Sequence, residues 1–288
     1  MDLCDPRIIQ DLLERNGFRF SRSMGQNFLI DSRVPARIAE EARLDRDTGV
    51  LEIGPGIGSL TARLAERAGK VCCVELDKTL LPILEQTLAD CGNVTVISGD
   101  ILKTDLVELV EGELNGLRPT VCANLPYNIT TPVLTRLLES GLFESVTVMV
   151  QREVARRICA EPGTPDYGAF TIFAQYHAEA RCLFDVQPSS FVPPPKVTSS
   201  VVRMERRGAP PAEVKDREMF FRTVRASFAQ RRKTLANGLS SAFPLSKQET
   251  GEILRSCGLD EKVRGETLSL TQFAALSDRI AARMDGRP

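Results

Sequence analysis

The fold is decided by nine residues, VLEIGPGIG at positions 50–58. The mostly apolar first part predicts a short buried strand, and the glycines that follow predict a tight turn that opens a helix. Glycine at alternate positions lets the backbone approach a ligand closely, and the helix N-terminus adds oriented N–H groups. The stretch therefore favours an α/β protein that binds a nucleotide, although a glycine-rich turn alone is a weak signal.

The same strand-then-helix order recurs through the first half of the chain. Because the strands are continuous apolar runs rather than alternating ones, they are typical of a parallel sheet covered on both faces. Two later strands flank a proline-rich connection that is too short for a helical crossover, so we expect them to pair antiparallel at one edge. The predicted strands are 50–53, 70–75, 94–98, 120–123, 145–151, and two within 170–186 and 196–205.

The chain changes character at residues 206–211, RRGAPP, which predict a linker. Only helical patterns follow the linker, at 215–229, 231–241, 246–256 and 271–284. We therefore predict two domains, an α/β domain over 1–207 and a small all-α domain over 208–288.

The composition excludes several kinds of chemistry. His177 is the single histidine, so a His-based zinc site, a Ser-His-Asp triad and a Cys-His dyad lack the residues they need. The eight cysteines include no C-x-x-C pair, and we expect reduced core thiols and no metal. The sequence has neither a long apolar span nor a basic-then-apolar leader, which predicts a cytoplasmic protein with no membrane partner.

Charge is distributed unevenly along the chain. The net charge is −1 overall, but residues 1–144 carry 15 basic and 22 acidic residues, while residues 145–234 carry 15 and 9. A local basic excess attracts phosphate backbones, although scattered arginines also suit an ordinary solvated surface. The basic residues that we predict to contact the phosphate backbone of a nucleic acid are Arg152, Arg156, Arg157, Arg222, Arg225, Arg231, Arg232 and Lys233.

Acidic residues end the second and third predicted strands. Glu75 lies 21 residues after Gly54, where a carboxylate can accept both ribose hydroxyls of an adenosine-containing cofactor. Asp100 is placed to accept from an adenine amino group, with Ile57 and Ile101 flanking the ring. A glycine spacing of G-x-G-x-G, preceded by the acidic Glu52, suits a cationic sulfonium cofactor better than a pyrophosphate.

The fourth strand ends in Asn124-Leu125-Pro126-Tyr127, next to the predicted cofactor site. An exocyclic base amine is a poor nucleophile, because its lone pair is delocalised into the ring. The Asn124 side-chain oxygen and the Leu125 carbonyl can hold its two N–H groups and aim the lone pair at a methyl group. Pro126 stiffens the turn, and Tyr127 can stack on a base flipped out of its helix.

These motifs together resemble those of the rRNA adenine N6-dimethyltransferases, over residues 8–280, and among them the bacterial enzymes that act on 16S rRNA. The resemblance implies a seven-stranded, mostly parallel, Rossmann-like class I methyltransferase domain with a helical C-terminal domain. It also implies S-adenosylmethionine as the methyl donor and two adjacent adenosines in the 3′-terminal hairpin of 16S rRNA as substrate. The segments that carry the resemblance are GQNFL at 25–29, EIGPGIG at 52–58, Glu75, GD at 99–100, NLPYNI at 124–129 and FVPPPKV at 191–197.

The resemblance also assigns roles to residues of this chain. Asn124, Leu125, Pro126 and Tyr127 would hold the target adenine, and Phe191 would stack on its other face. Partners would be the 30S subunit or its precursor, with the enzyme acting as a monomer in ribosome biogenesis. The expected cofactor-binding residues are Gln26, Asn27, Leu29, Glu52, Gly54, Gly56, Gly58, Glu75, Leu76, Asp100, Ile101 and Asn124.

Three other functions share some of these features. A resistance-type 23S rRNA dimethylase would share the fold and the Asn-x-Pro-Tyr motif, but such enzymes tend to be more basic than a chain with a pI near 6.1. A non-catalytic RNA-binding assembly factor would have no need of Glu75, Asp100 and Asn124. An NAD-linked oxidoreductase would share the glycine-rich loop but would leave Asn124-Leu125-Pro126-Tyr127 unexplained.

Overall fold

The computed structural model describes residues 1–20, 25–230 and 232–285. It contains nine strands, numbered in chain order. They are β1 (Phe28–Leu29), β2 (Thr48–Ile53), β3 (Lys70–Glu75), β4 (Val94–Ser98), β5 (Arg118–Asn124), β6 (Ser145–Gln151), β7 (Ala178–Val186), β8 (Phe191–Val192) and β9 (Ser199–Arg206).

Seven of these strands form one sheet in the order β4-β3-β2-β5-β6-β9-β7. The five strands from β4 to β6 in this order are joined by parallel pairing, and β9 then pairs antiparallel with β6. The seven-stranded, mostly parallel sheet is thus confirmed, with β9 and β7 as neighbours at one edge. A second, two-stranded sheet joins β1 to β8, which the sequence analysis did not predict, because two-residue strands carry no periodic signal.

Twelve α-helices accompany the strands in the described part of the chain. The first seven are α1 (Pro6–Arg15), α2 (Arg33–Glu41), α3 (Ser59–Ala65), α4 (Leu81–Thr87), α5 (Leu106–Glu113), α6 (Thr130–Ser140) and α7 (Arg152–Ile158). The others are α8 (Ala169–His177), α9 (Arg217–Phe228), α10 (Leu235–Ala242), α11 (Lys247–Ser256) and α12 (Leu270–Asp285). None of the helices described is long and apolar enough to cross a membrane.

The strand predicted within 170–186 is wrong in its first half. Residues 169–177 form helix α8, and only the remainder forms β7. The run is rich in aromatic and β-branched residues, which favour strands on propensity alone. The helix is fixed instead by its start, where the Thr171 hydroxyl accepts from the Gly168 N–H at 3.0 Å and donates to the Arg157 carbonyl at 2.6 Å. His177, expected in a strand, ends this helix with Nδ1 2.8 Å from the Phe173 carbonyl oxygen.

The chain divides into two compact units. The first comprises residues 1–155 and 179–206, and the second comprises 156–178 and the residues from 207 onward. The second division lies next to the boundary that we predicted after residue 207. Segment 156–178, which the prediction placed in the α/β domain, groups with the C-terminal helices.

Each unit has its own apolar core. In the first unit, the buried faces of β2, β3, β5 and β6 pack against α2 and α3, and a smaller cluster forms between α1, α4 and Phe28. In the second unit, the fully buried Phe220 and Phe273 lie at the centre of packing among α8 to α12. Four of the eight cysteines, Cys4, Cys72, Cys73 and Cys122, are buried, and burial raises the pKa of Cys72 to about 12, so this thiol stays protonated.

Candidate active site

A cavity opens at the carboxyl ends of β2, β3 and β5 in the first unit. Loops that follow parallel strands meet at this edge of an open α/β sheet, which is where such sheets bind ligands. Most of the predicted cofactor residues line this cavity, together with the target-base motif. The predicted residues that it brings together are Gln26, Asn27, Leu29, Glu52, Gly54, Gly56, Glu75, Leu76, Asp100, Ile101, Asn124, Leu125, Pro126 and Tyr127.

The glycine-rich turn after β2 depends on backbone conformations that only glycine adopts freely. Gly54, Gly56 and Gly58 all have positive φ, at 66°, 63° and 88°. A Cβ atom on Gly56 would lie 3.2 Å from the ring of Phe28, the first residue of β1. The absence of a side chain at Gly56 thus leaves room for the Phe28 ring, and α3 begins directly after the turn.

Glu75 is held at the cavity wall by the backbone. Its side chain is only 6% exposed, and Oε1 accepts from the Asp77 N–H at 2.7 Å. Burial raises the pKa of this carboxyl, while the backbone N–H groups of Asp77 and Gly56 oppose the rise. A carboxylate fixed in this way is suited to accept hydroxyl groups of a ribose, and the neighbouring Leu76, 50% exposed, offers an apolar surface for a ring.

Asp100 and Ile101 form the next part of the wall, after β4. Asp100 Oδ1 accepts from the Leu102 N–H at 3.0 Å, and Oδ2 lies 3.7 Å from the exposed Lys103 Nζ. Ile101 is 5% exposed and lies beside Asp100 in the same wall. The pair fits an adenine ring, with a carboxylate for the amino group and an apolar face for the ring.

Glu52 does not act as the simple negative charge that the sequence suggested. The side chain is 1% exposed, and the Cys73 thiol donates to Oε2 at 3.5 Å. Burial raises the pKa of Glu52 to about 7, so the carboxyl is only partly ionised at neutral pH. Glu75, Asp77 and Asp100 also line the cavity, and their carboxylates suit a cationic cofactor.

Residues 25–29 line one side of the cavity. Gln26 Nε2 donates to Asp77 Oδ2 at 2.6 Å, across 51 residues of sequence. Burial tends to raise the pKa of Asp77, but hydrogen bonds from Thr79 and Gln26 outweigh it and lower that pKa. The sequence analysis missed Asp77, whose one signal was its place two residues after Glu75.

Asn124 ends β5 at the opposite wall. Its Nδ2 lies 3.5 Å from the Asn27 carbonyl oxygen, a long contact that leaves Oδ1 as the acceptor for a substrate amine. Leu125 is buried, with its N–H bonded to the Met149 carbonyl at 3.1 Å. The Pro126 carbonyl accepts from the Ile129 N–H and the Thr130 hydroxyl, which fixes the turn at the start of α6.

Tyr127 lines the cavity, and its hydroxyl lies 2.6 Å from Ser199 Oγ on β9. Burial raises the pKa of this phenol, so it stays neutral at physiological pH. The hydroxyl contact holds the ring in one orientation, as a stacking platform requires.

Two of the predicted cofactor and target-base residues lie outside the cavity wall. Gly58 is the N-cap of α3, and Phe191 on β8 is 2% exposed within the apolar core, paired in register with Leu29. The ring of Phe191 therefore packs between apolar side chains, where the sequence analysis expected a surface for stacking. Asn128, which sequence reasoning did not single out, lies in the wall instead.

The predicted RNA-binding residues differ in their exposure and in their partners. Arg152 lies 3.8 Å from Asp185, and Arg222 donates to the Ala242 carbonyl at 2.9 Å with its guanidinium over the Phe243 ring, so both have structural partners. Arg156, Arg225, Arg232 and Lys233 are exposed, and Arg157 is half-buried. Arg231 lies outside the described residues.

Comparison with known proteins is consistent with this geometry. The family model for ribosomal RNA adenine dimethylases matches residues 17–282. Proteins named ribosomal RNA small subunit methyltransferase A from Bacillus cereus (strain B4264) and Bacillus anthracis (strain A0248) are each 48% identical over 284 residues, which is 97% of this chain and 97% of theirs.

Two solved structures share the fold over most of their length. The 23S rRNA methyltransferase ErmE is 29% identical with a TM-score of 0.68, over 88% of this chain and 99% of that chain. A dimethyladenosine transferase from Plasmodium falciparum is 25% identical with a TM-score of 0.73, over 86% and 95%.

These findings confirm the predicted enzyme class and the predicted methyl donor. The chain belongs to the ribosomal RNA adenine dimethylase family, which comprises methyltransferases that use S-adenosylmethionine.

Proposed function

We propose that this enzyme dimethylates the N6 amino groups of two adjacent adenosines in the 3′-terminal hairpin of 16S rRNA, through four methyl transfers. One observation carries the proposal: Asn124-Leu125-Pro126-Tyr127 lines the same cavity as Gly54, Glu75 and Asp100. A base amine held by the first group thus faces a donor held by the second. The choice of the small-subunit RNA rests on the names and the high identity of the curated relatives.

The donor is held by residues that fit its parts. The Glu75 carboxylate accepts hydrogen bonds from the ribose hydroxyls, and the Asp100 carboxylate accepts one from the adenine amino group. Leu76 and Ile101 cover the faces of the adenine ring. When bound, S-adenosylmethionine supplies an electrophilic methyl group on a positively charged sulfur. The positive-φ turn at Gly54 and Gly56 gives it space next to the backbone.

The target adenine is held by the opposite wall. Asn124 Oδ1 and the Leu125 carbonyl accept the two N6 hydrogens, which favours a pyramidal nitrogen with its lone pair aimed toward the donor. The Tyr127 ring stacks on the base after it leaves its helix. The proton released from the alkylated amine goes to solvent, so no histidine is needed, and most of the rate gain comes from proximity and orientation.

Phe191 would stack on the other face of the base only if its ring left the apolar core. The stacking role is therefore tied to a rearrangement of β8 on RNA binding. The exposed Arg156, Arg225, Arg232 and Lys233 contribute phosphate contacts, with an affinity that falls steeply with salt.

The partner is the 30S subunit or its precursor, in the cytoplasm, and the enzyme acts as a monomer in ribosome biogenesis. A 23S rRNA substrate is the competing function, since the 23S rRNA methyltransferase ErmE shares the fold. A competition assay separates the two. The enzyme is incubated with tritiated S-adenosylmethionine and equal amounts of unmodified 30S particles and protein-free 23S rRNA.

Label in 16S rRNA with less than about a tenth as much in 23S rRNA supports the proposal, since a tenfold preference corresponds to about 1.4 kcal/mol of discrimination. Label that goes mainly to 23S rRNA overturns it. An Asn124→Ala variant run in parallel shows whether the label depends on the cavity described here.

A further inference from the structure

A half-buried arginine on α6 connects the two walls of the cavity. Arg136 Nη1 donates to the Ile101 carbonyl at 2.8 Å, and Nη2 donates to the Thr104 carbonyl. Both acceptors belong to the loop that follows β4 and carries Asp100 and Ile101 into the cavity wall. Arg136 itself does not line the cavity, so any effect on the donor passes through this loop.

The loop shapes the adenine end of the donor site. Its inner side is closed by its own hydrogen bonds, because the Asp100 carbonyl accepts from the N–H groups of Lys103 and Thr104 and from the Thr104 hydroxyl. The carbonyls of Ile101 and Thr104 are bound from outside the loop, by the two arms of one guanidinium. A planar fork that binds two carbonyls fixes both their separation and their direction, which a single donor does not.

The start of α6 contacts the target-base motif at residues 124–127. The Thr130 hydroxyl donates to the Pro126 carbonyl at 3.1 Å, and the helix starts at this residue. One helix thus contacts the target-base turn at its start and the donor loop less than two turns later. A displacement of α6 when the base enters would therefore be passed to Asp100 and Ile101.

We propose that Arg136 is a positioning residue for the donor site, which holds the Asp100–Thr104 loop in the shape that binds the adenosine part of S-adenosylmethionine. This inference rests on the proposed function for the identity of the donor. It does not depend on which RNA is methylated, because donor binding can be measured without RNA.

The test is a calorimetric titration of the parent enzyme and three variants with S-adenosylmethionine, with 5′-methylthioadenosine and with methionine. The variants are R136M, R136K and, as the matched control, R118M. Arg118 is likewise an arginine held by several partners, here the side chains of Asp45, Glu144 and Thr48, but it lies at the opposite, amino end of β5. Turnover at saturating donor, with unmodified 30S particles, is measured for the same proteins.

For R136M we expect a Kd for S-adenosylmethionine and for methylthioadenosine that is about tenfold higher, as for the loss of charge-assisted hydrogen bonds. Binding of methionine and turnover at saturating donor should change less than about twofold, because the loop shapes only the adenosine end. R136K keeps the charge but not the fork, so about a threefold weakening is expected. R118M should bind all three ligands like the parent enzyme.

An unchanged Kd for methylthioadenosine in R136M overturns the proposal, as does an equal weakening in R118M. A loss of methionine binding as large as that of methylthioadenosine also overturns it, because it would indicate general damage to the site. If R136M fails to fold, the R136K titration decides: weaker binding of methylthioadenosine alone supports the role, and unchanged binding contradicts it. Failure of the 16S rRNA assay with this binding pattern intact would count against the proposed function only.

Discussion

The two walls of the cavity differ in how firmly their side chains are already held. On the donor wall (residues 54–58, 75–77 and 100–101), Glu75 and Asp100 accept backbone hydrogen bonds at 2.7 and 3.0 Å, and the glycine turn is fixed by its positive φ values. On the proposed target wall (residues 124–127), Asn124 makes a contact at 3.5 Å, and Phe191, the proposed second stacking ring, is buried in the core outside the cavity wall. The side chains of the proposed donor wall are thus already held by hydrogen bonds, whereas those of the proposed target wall are held less firmly.

The largest effect is expected at Asn124, where the comparison is easiest to break. Asn124→Ala removes the acceptor that orients the amine, so we expect methyl transfer to fall by about 10²- to 10³-fold, as for other groups that act on the transition state. The donor Kd should change less than about threefold, since the donor wall keeps its own hydrogen bonds. Single-turnover rates and calorimetry measure the two quantities. Asn115→Ala, at an exposed position before β5, is the control. Equal losses in rate and donor affinity would refute the separation of the two walls.

The buried Glu52, next to the donor wall in sequence, should make the free energy of unfolding depend on pH. An unfolded glutamate titrates near 4.5, whereas burial raises the pKa of Glu52 to about 7 in the folded protein. Between these values the folded chain keeps a proton that the unfolded chain has released, so stability is lost as pH rises. The loss comes to about 3 kcal/mol by pH 8.

The uncharged Glu52→Gln should therefore gain about that amount of stability relative to the parent protein between pH 4.5 and pH 8. Urea unfolding at several pH values measures this difference, with the exposed Glu40→Gln as control. A constant difference between E52Q and the parent across this range would show that Glu52 titrates normally in the fold.

Glu75 should affect binding of the donor and leave the target side intact. Glu75→Ala removes a fixed carboxylate, and we expect the KM for S-adenosylmethionine to rise by about 10- to 100-fold, as for lost hydrogen bonds to a charged group. The maximal rate at saturating donor should fall less than about threefold. Initial-rate kinetics with each substrate varied in turn provide the measurement. A larger effect on the KM for RNA than on that for the donor would contradict the assignment.

Tyr127 is expected to give the smallest effect of the four, and its two variants separate ring from hydroxyl. Tyr127→Ala removes the stacking surface and should lower kcat/KM for RNA by about tenfold, within the 1–3 kcal/mol of one stacked base. Tyr127→Phe loses only the contact with Ser199 and should stay within about threefold. Ser199→Ala is the matched control for that contact. If Y127F were as impaired as Y127A, the hydroxyl rather than the ring would carry the function.

The gathering of Glu75, Asp100 and Asn124 at one cavity could be predicted from the sequence, because these residues end or follow strands with clear apolar patterns. Glu75, Asp100 and Asn124 each lie at or just after a strand end, and parallel strands bring such positions to one edge. Asp77 and Arg136 could not be predicted in the same way, since their roles come from hydrogen bonds to residues 51 and about 35 positions away.

The wrong strand prediction within 170–186 also reflects contacts that a local sequence pattern does not contain. Helix α8 was expected as a strand because its aromatic residues favour strands locally, while the hydrogen bonds of Thr171 and the packing of the second unit determine a helix. The stacking role of Phe191, which comes from its motif, stays a prediction, because pairing of Phe191 with Leu29 buries its ring in this structure. Local pattern gives the order of the elements, and long-range contacts decide which side chains reach the site.

The most direct test of the account is the identity of the product. Unmodified 30S particles are methylated to completion, and the 16S rRNA is digested with nuclease and analysed by mass spectrometry. We expect N6,N6-dimethyladenosine at two adjacent positions of the 3′-terminal hairpin, and an initial rate of its formation that is lower by about a hundredfold or more with the Asn124→Ala variant. Methylation at another atom or another site, or an undiminished rate with that variant, would contradict the account.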